Sequence, residues 1–302
     1  MKRLRKIEYG VPSGNDALTV RFGIAAGIFA DEGLDLSIRT IFGGPEIAAA
    51  FDSGDVPIGS LGSPSGIPGM ASGGRFRIIA SGCRQQAHLY LGVGNHVTSY
   101  EQLKGKRIGL LSIGSCPSWI VHKILSQNGL DAGSDVTLVP LHDAYPRIID
   151  LMEEGHIDAC LVTEPNLAIG EDRGILSVWA AGYESQYLPR FQWIVRVANA
   201  NFIEHEPDVV AAVLRGCSRS AHHAVHNINA FSEFVAGLYG ASEDAVRSAM
   251  AREVPRYQLD CEIDMTGLQN AIDMLLELGG IDRAIAPADL VDLRFRSCHA
   301  AG

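Results

Sequence analysis

Strand-like and helix-like segments alternate through the first two-thirds of the chain, and this alternation limits the possible folds more than any other feature. Runs of apolar and β-branched residues, such as Leu36–Ile41 and Ala159–Val162, are separated by segments with apolar residues at helical spacing, such as Thr19–Glu32. Such alternation is typical of βαβ units, in which helices cover a parallel sheet. We therefore predict an α/β fold that becomes mostly helical beyond Trp193–Val197.

The strand signals fall into two series, which predicts two lobes. The first series runs from Lys6–Tyr9 to Phe76–Ser81, and the second begins near Leu89–Val93. A chain of 302 residues is long enough for two α/β lobes, each a mostly parallel sheet flanked by helices. We expect a discontinuous first lobe of residues 1–90 and 195–302 that includes the C-terminal helices, a second lobe of residues 91–194, and hinges near 88–94 and 183–198.

Composition and charge argue against several classes of protein. The chain is 47% hydrophobic and 20% charged, which is typical of a folded globular protein. Its net charge is −10 and the basic run Met1–Lys6 is short, so we expect no nucleic-acid partner. That run leads directly into Ile7–Gly14 without the apolar stretch of a signal peptide or a spanning helix. We expect no membrane insertion and a cytoplasmic location for the chain as given.

The cysteines are spaced too widely for a common metal-binding motif. They lack a Cys-x-x-Cys pair and zinc-like His/Cys spacing, so we predict free thiols, no metal and no cofactor. His222 and His226 have i, i+4 spacing without an evident third ligand, which favours a solvated helix face. The six cysteines are Cys83, Cys116, Cys160, Cys217, Cys261 and Cys298.

A small or polar residue followed by proline recurs directly after the predicted strands. Proline suits the first helical position because its φ is already helical and it lacks an N–H that would have no partner there. Helix N-termini at the carboxyl ends of parallel strands line the usual ligand crevice, and their free N–H groups favour an anion. The five pairs are Gly44-Pro45, Ser63-Pro64, Cys116-Pro117, Tyr145-Pro146 and Glu164-Pro165.

A series of short motifs resembles a known group of proteins. In their order and content the motifs are similar to those of the aliphatic-sulfonate, nitrate, taurine and thiamine-pyrimidine substrate-binding proteins, which have the periplasmic-binding-protein type 2 fold. The resemblance extends over about residues 7–200. The motifs are Gly27–Asp35, Asp52–Gly59, Tyr100–Gly109 with Ser112–Ser115 after it, and Glu154–Ala159.

The resemblance implies a receptor that closes two lobes around a small organic ligand. That ligand would be a sulfonate, a carboxylate or an amino-pyrimidine, and an ABC-transporter permease would be a further partner. Relatives of this kind are periplasmic or lipid-anchored. The implied ligand contacts are Asn15, Gly43, Gly44, Gly62 and Ser63 in loops of the first lobe, and Ser112, Ser115, Cys116 and Glu164 in loops of the second.

Three further side chains are candidates for ligand contact. Tyr183 and Trp193 lie near the second predicted hinge, where either could stack on a ring. Cys83 follows a strand end that is expected to face the cleft. A carboxylate at Glu164, beside Pro165, would repel an anion and accept a hydrogen bond from an amine, which favours a nitrogen-bearing ligand.

An enzyme on the same fold is the main alternative, and a ligand-sensing protein is another. The aromatic sulfinate desulfinases of this fold carry a cysteine in the loop after the first strand, but Gly10–Ala17 contains none. The cysteine-rich cluster of the pyrimidine synthases is also missing. Cys116 at a helix N-terminus, or Cys83 near Arg84 and His88, could instead supply a thiolate, since positive charge lowers the pKa of a thiol.

Overall fold

The computed structural model describes residues 3–295 as an α/β protein with two five-stranded sheets. The strands are β1 Arg5–Val11, β2 Leu34–Thr40, β3 Ile58–Gly62, β4 Phe76–Ser81, β5 Tyr90–Gly94, β6 Arg107–Leu110, β7 Thr137–Pro140, β8 Ala159–Val162, β9 Leu176–Ala181 and β10 Ile194–Asn199. The helices are α1 Leu18–Ala25, α2 Ile28–Asp31, α3 Gly44–Ser53, α4 Ser63–Ala71, α5 Cys116–Gln127, α6 Ile148–Glu153, α7 Asn166–Asp172, α8 Ala200–His205, α9 Pro207–His226, α10 Ile228–Tyr239, α11 Glu243–Glu253 and α12 Met265–Glu277.

Both sheets are mixed but mostly parallel. The first has the strand order β2-β1-β3-β10-β4, and the second has the order β7-β6-β8-β5-β9. In the first sheet only β10 runs antiparallel to its neighbours, and in the second only β5 does so. The predicted α/β class with mostly parallel sheets is therefore confirmed.

The chain crosses between the two sheets twice, and the crossing segments lie side by side. Residues 82–89 lead from β4 to β5, and residues 182–193 lead back from β9 to β10. The N–H of Trp193 donates to the carbonyl of Gln85 at 2.6 Å, which joins the two crossings. In the described part of the chain, these two crossings are the only segments that lead from a strand of one sheet to a strand of the other. A backbone hydrogen bond joins them.

Burial follows the position of each strand in its sheet. Every residue of the central strands β3 and β10 is buried, because helices cover both faces of the first sheet. The edge strand β2 begins with alternating buried and exposed residues, as expected for a strand at the rim. Because the central strands are buried, the positions of their ends are fixed. The loops that follow those ends form the junction between the two sheets.

Two predicted helices differ from the structure. The segment Thr19–Glu32 forms two helices rather than one, because the chain adopts a left-handed conformation at Gly27, where φ is +78°. The segment Pro287–Val291 contains only a short 3₁₀ turn at Pro287–Asp289. Its apolar residues have helical spacing, but a segment this short lacks the length that stabilises an α-helix.

The C-terminal helices contact both halves of the molecule. Helix α9 packs on α1, beside the first sheet, and α12 packs on α4. Helix α11 instead packs on α7, which follows the second sheet. None of the helices within residues 3–295 has the length and apolar character needed to cross a membrane.

Candidate ligand-binding cleft

Three helix N-termini meet at the junction of the two sheets. Helices α3, α4 and α5 begin at Gly44, Ser63 and Cys116, each with proline at one of the first two positions, as predicted. Helices α3 and α4 follow strands of the first sheet, and α5 follows β6 of the second. Because the first N–H groups of a helix have no partner inside it, each start presents donors to groups outside the helix, together with a partial positive charge.

The other two proline junctions do not begin helices in the predicted way. Pro146 lies inside a 3₁₀ turn that spans His142–Arg147, and α6 begins only at Ile148. A 3₁₀ turn tolerates this proline because its φ is close to the value that the ring imposes. Pro165 precedes α7, which begins one residue later at Asn166.

The helix N-termini of each half donate hydrogen bonds to hydroxyl groups of the other half. The N–H of Gly44 donates to Ser112 Oγ at 3.3 Å, and the N–H of Cys116 donates to Ser65 Oγ at 2.9 Å. At Gly62 a Cβ atom would lie 2.7 Å from Cys116 Cβ. The two halves are therefore in direct contact across this junction.

A small cavity of about 30 Å³ lies between the starts of α4 and α5, and we call it the cleft cavity. Its described lining contains hydroxyl groups, an indole, a thiol and apolar groups, but no charged side chain. A space of this size holds a water molecule and is too small for an organic ligand. The lining residues are Pro12, Ser13, Gly62, Ser65, Leu89, Leu111, Ser115, Cys116, Pro117, Tyr145, Thr163 and Trp193.

Asn15 connects the loop after β1 with the second half. Its side-chain amide donates to Thr163 Oγ1 at 2.8 Å and to the carbonyl of Glu164 at 3.1 Å. Its Oδ1 accepts from the hydroxyl of Tyr239, in α10, at 2.6 Å. Asn15 thus lies at the junction between the two halves, where the resemblance placed a ligand contact. Its side chain, however, is already hydrogen-bonded to three protein groups.

Several predicted contacts have their side chains turned away from the cleft cavity or engaged locally. Ser63 Oγ donates to the carbonyl of Gln192 at 2.5 Å, and Ser115 Oγ donates to the carbonyl of Ser112 at 2.5 Å. Gly43 precedes α3 with φ at +126°, a conformation that favours glycine. The N–H of Ser63 is engaged as well, since it donates to the carbonyl of Trp193 at 2.7 Å, and Ser63 is not among the described residues that line the cleft cavity.

The Glu164 carboxylate faces the C-terminal helices rather than the cleft cavity. It accepts from Arg252 at 2.5 Å and from the N–H of Ala168 at 3.0 Å, and Arg252 also donates to Glu171 at 2.7 Å. Burial raises the pKa of Glu164 to about 7, although Arg252 and the Ala168 N–H act in the opposite direction. Glu164, which the sequence placed at the ligand, is not among the described residues that line the cleft cavity.

His88 belongs to a buried polar group behind the cleft. Its Nδ1 lies 3.0 Å from Glu253 Oε2, and the Tyr90 hydroxyl donates to Glu253 Oε1 at 2.8 Å. Burial alone would raise the pKa of Glu253, but His88, Arg84 and the Tyr90 hydroxyl outweigh it, so that the pKa lies below its ordinary value. This arrangement fixes α11 against β5.

The two aromatic candidates have different positions. Trp193 lines the cleft cavity, and the Arg84 guanidinium lies 4.9 Å from its ring centroid. Tyr183 contacts His88 edge-on, with 5.6 Å between ring centroids, and the Arg256 guanidinium lies 4.4 Å above its ring. Of the two, Trp193 is therefore the one in a position to contact a ligand in the cleft.

The cysteines show why a thiolate at Cys83 is not supported. Cys83 is buried outside the cleft cavity, and desolvation raises the pKa of its thiol although Arg84 and Arg196 lower it. Cys116 lines the cleft cavity and is also buried. Cys298 lies outside the described residues. Across residues 3–295, no group of three His, Cys, Asp or Glu side chains is arranged to hold a metal ion.

Sequence reasoning missed the residues that the C-terminal helices bring to the junction. Tyr239, Arg252 and Glu253 contact Asn15, Glu164 and the His88 group from elements far away in the chain. In the sequence these residues are marked only by their positions near the ends of predicted helices. Such a position does not predict which residues they contact.

Comparison with known proteins agrees with this fold. The alkanesulfonate-binding protein SsuA from Xanthomonas axonopodis pv. citri, in a structure with bound MOPS, is 16% identical, with 96% of this chain and 98% of that chain covered and a TM-score of 0.79. The periplasmic nitrate-binding protein NrtA from Synechocystis PCC 6803 is 10% identical, with 98% and 87% covered and a TM-score of 0.79. At these identities the likeness shows the fold.

Sequence comparison gives the family. YtlA, a provisionally named binding protein of Bacillus subtilis (strain 168), is 26% identical over 167 residues, or 54% of this chain, and the match spans half of that protein's length. The family model described as NMT1/THI5 like matches residues 20–229, which is well over half of the chain. The chain therefore belongs to the NMT1/THI5-like family and has the two-lobed fold of the periplasmic binding proteins.

Proposed function

We propose that this protein binds a small organic anion, with a sulfonate or carboxylate head group, between its two lobes. The observation that carries the proposal is that the starts of α4 and α5, one from each half, line one uncharged cavity, and that the start of α3 at Gly44 lies against them. Free N–H groups and the positive ends of helix dipoles bind anions without any basic side chain. Hydroxyl groups in the same wall add further donors.

The wall of the cavity favours an anion over an amine. An amino-pyrimidine or an alkylamine needs acceptors, and the nearest predicted one, the Glu164 carboxylate, is engaged by Arg252 and Ala168. No carboxylate is present among the described residues of the wall. Two structural relatives, an alkanesulfonate-binding and a nitrate-binding protein, support the same class of ligand.

Binding would require the lobes to open and close. We assign residues 1–90 and 195–302 to the first lobe and residues 91–194 to the second, with hinges near 88–94 and 183–198. Opening would break the contacts of Gly44 with Ser112 and of Cys116 with Ser65, which releases two N–H donors for the ligand. Closure would then replace the hydration of the head group by these fixed donors.

Two observations bear on the fate of the bound ligand. A protein of similar fold, 14% identical with a TM-score of 0.76, is the ligand-binding component of an ABC-type import system from Staphylococcus aureus with zinc bound, which supports a transporter permease as the proposed partner. The enzyme alternative is less favoured, because burial disfavours a thiolate at Cys83 and His88 lies beside Glu253 outside the cleft cavity, which leaves Cys116 as the one candidate thiol in the described wall. We therefore expect the ligand to leave unchanged.

A matched series of ligands tests the proposal. The series consists of butane-1-sulfonate, pentanoate, butylammonium and butan-1-ol, which share a butyl chain and carry an anionic, a cationic or a neutral head group. Titration calorimetry reports their binding, together with tryptophan fluorescence, to which Trp193 contributes. We expect the two anions to bind and the amine and the alcohol to fail. Binding of butylammonium in preference to both anions would contradict the proposal. Mass spectrometry of the released ligand should show no chemical change, whereas a product would support an enzyme.

A further inference from the structure

Arg196 is a buried cation without a carboxylate partner in the described part of the chain. It lies in the central strand β10 and is 3% exposed. Its Nη1 donates to the carbonyl of Ser81 and to Cys261 Sγ, the latter at 3.4 Å. Arginine keeps its proton at any ordinary pH, and a buried charge is costly unless an opposite charge compensates it.

The weak acids around Arg196 do not provide that opposite charge. Burial raises the pKa of the Cys83 and Cys217 thiols and of the Tyr9 hydroxyl, so these three groups are protonated near neutral pH. Cys261 Sγ lies 3.6 Å from the carbonyl of Leu259, a contact in which a thiol donates. As thiols and a phenol, these groups leave Arg196 without an opposite charge.

A second cavity, of about 20 Å³, lies beside Arg196, and we call it the Arg196 cavity. Ser60 Oγ is buried and, although near the Tyr9 hydroxyl, makes no hydrogen bond of normal geometry with a described residue. The cavity has room for one water molecule or one small ion. The described lining contains no carboxylate and consists of Tyr9, Asn15, Leu18, Thr19, Val20, Ser60, Gly82, Cys83, Arg84, Ile194, Arg196 and Tyr257.

We propose that the Arg196 cavity binds a monatomic anion of the halide class, with chloride as the physiological ligand, as the counter-ion of Arg196. The guanidinium supplies the charge, and the hydroxyls of Ser60, Thr19 and Tyr9 supply donors around a site too small for sulfate or a carboxylate. The site is separate from the cleft cavity, so it does not depend on the proposed function. Asn15 lines it, which places the anion behind the loop that forms one wall of the cleft.

Bromide diffraction tests the site in the unmodified protein. Crystals soaked in sodium bromide should show an anomalous peak within contact distance of the Arg196 guanidinium and Ser60 Oγ. Bromide peaks that occur only on the surface, with a water at this position, would overturn the proposal. Thiolate absorbance in the far ultraviolet that disappears in Cys261→Ser would also overturn it, because the counter-ion would then be Cys261.

Thermal unfolding gives an independent measurement in solution. Replacing sodium gluconate by sodium chloride at constant ionic strength should raise the Tm by about 2 °C for each tenfold increase in chloride above its dissociation constant. Arg196→Met should abolish this dependence on chloride. Ser60→Ala should weaken it, and this second variant decides the test if Arg196→Met does not fold. Arg247→Met, at an exposed position of α11, is the control that should keep it. No chloride dependence in the wild type, or equal dependence in the wild type and Ser60→Ala, would refute the proposal.

Discussion

The substitution Gly62→Ala should disfavour the closed contact between the two lobes. Gly62 precedes α4 with φ at −67° and ψ at 131°, an extended conformation that alanine adopts without strain. The added Cβ would lie 2.7 Å from Cys116 Cβ, 3.1 Å from Cys116 Sγ and 3.2 Å from Trp193 Nε1. Cys116 belongs to a helix of the other half, so opening of the cleft relieves the closest of these contacts.

The size of the effect depends on the cost of overpacking. One extra methyl group in a tightly packed site costs about 1–3 kcal/mol, and here that cost applies to the closed form. Because 1.4 kcal/mol corresponds to a tenfold change in affinity, the dissociation constant for butane-1-sulfonate should rise roughly 5- to 150-fold. Titration calorimetry measures this change, and small-angle X-ray scattering should give a larger radius of gyration for the variant without ligand.

Gly237→Ala is the matched control. An added Cβ at Gly237, in α10, meets no atom within 4 Å, so this variant should bind as the wild type does. Equal affinities of Gly62→Ala and Gly237→Ala would refute the idea that closure of this cleft is coupled to binding. A variant at Gly62 that unfolds at lower denaturant concentration but binds normally would show that the contact affects only the fold.

Three further predictions concern the buried polar groups. The pKa of Glu164 is raised from 4.5 to about 7 in the folded state, so its contribution to stability is present below about pH 4.5 and is lost as the pH rises through about 7. Relative to Glu164→Gln, the wild type should lose on the order of 3 kcal/mol in the free energy of unfolding between about pH 4.5 and about pH 8. If urea denaturation shows the same change with pH in both proteins, the prediction is contradicted. Arg252→Met leaves Glu164 without its ion partner, which should cost about 3 kcal/mol at about pH 8 and less at about pH 5, where the carboxyl is protonated; an equal loss at both pH values would refute the reasoning. Cys83→Ala should leave the affinity for butane-1-sulfonate unchanged because the thiol is buried outside the cleft cavity, and a large loss measured by calorimetry would return Cys83 to the site.

Local signals in the sequence were enough to find much of the fold. The strands Phe76–Ser81 and Ala159–Val162 match their predicted bounds, because each is a buried apolar run. Three proline junctions mark helix N-termini correctly, since the restriction that proline places on φ is local. Predictions held where the physical cause lies within a few residues of the pattern.

The contacts around the cleft depend on long-range packing, and the sequence did not predict them. Glu164 was expected to face the ligand, yet Arg252 reaches its carboxylate from a helix 88 residues further along the chain. Ser63 was an implied ligand contact, but its hydroxyl donates to the carbonyl of Gln192. Neither partner can be inferred from neighbouring residues, because the packing of α11 and the return of the chain to β10 bring them together.

A crystal structure with butane-1-sulfonate tests the central proposal most directly. We predict that the sulfonate oxygens lie within hydrogen-bond distance of the N–H groups of Gly44 and Cys116, one from each half. The hydroxyls of Ser65 and Ser112 should then have moved away from these two donors. A sulfonate bound elsewhere, or bound in the cleft while both cross-lobe hydrogen bonds persist, would contradict the proposal that the helix N-termini form the ligand site.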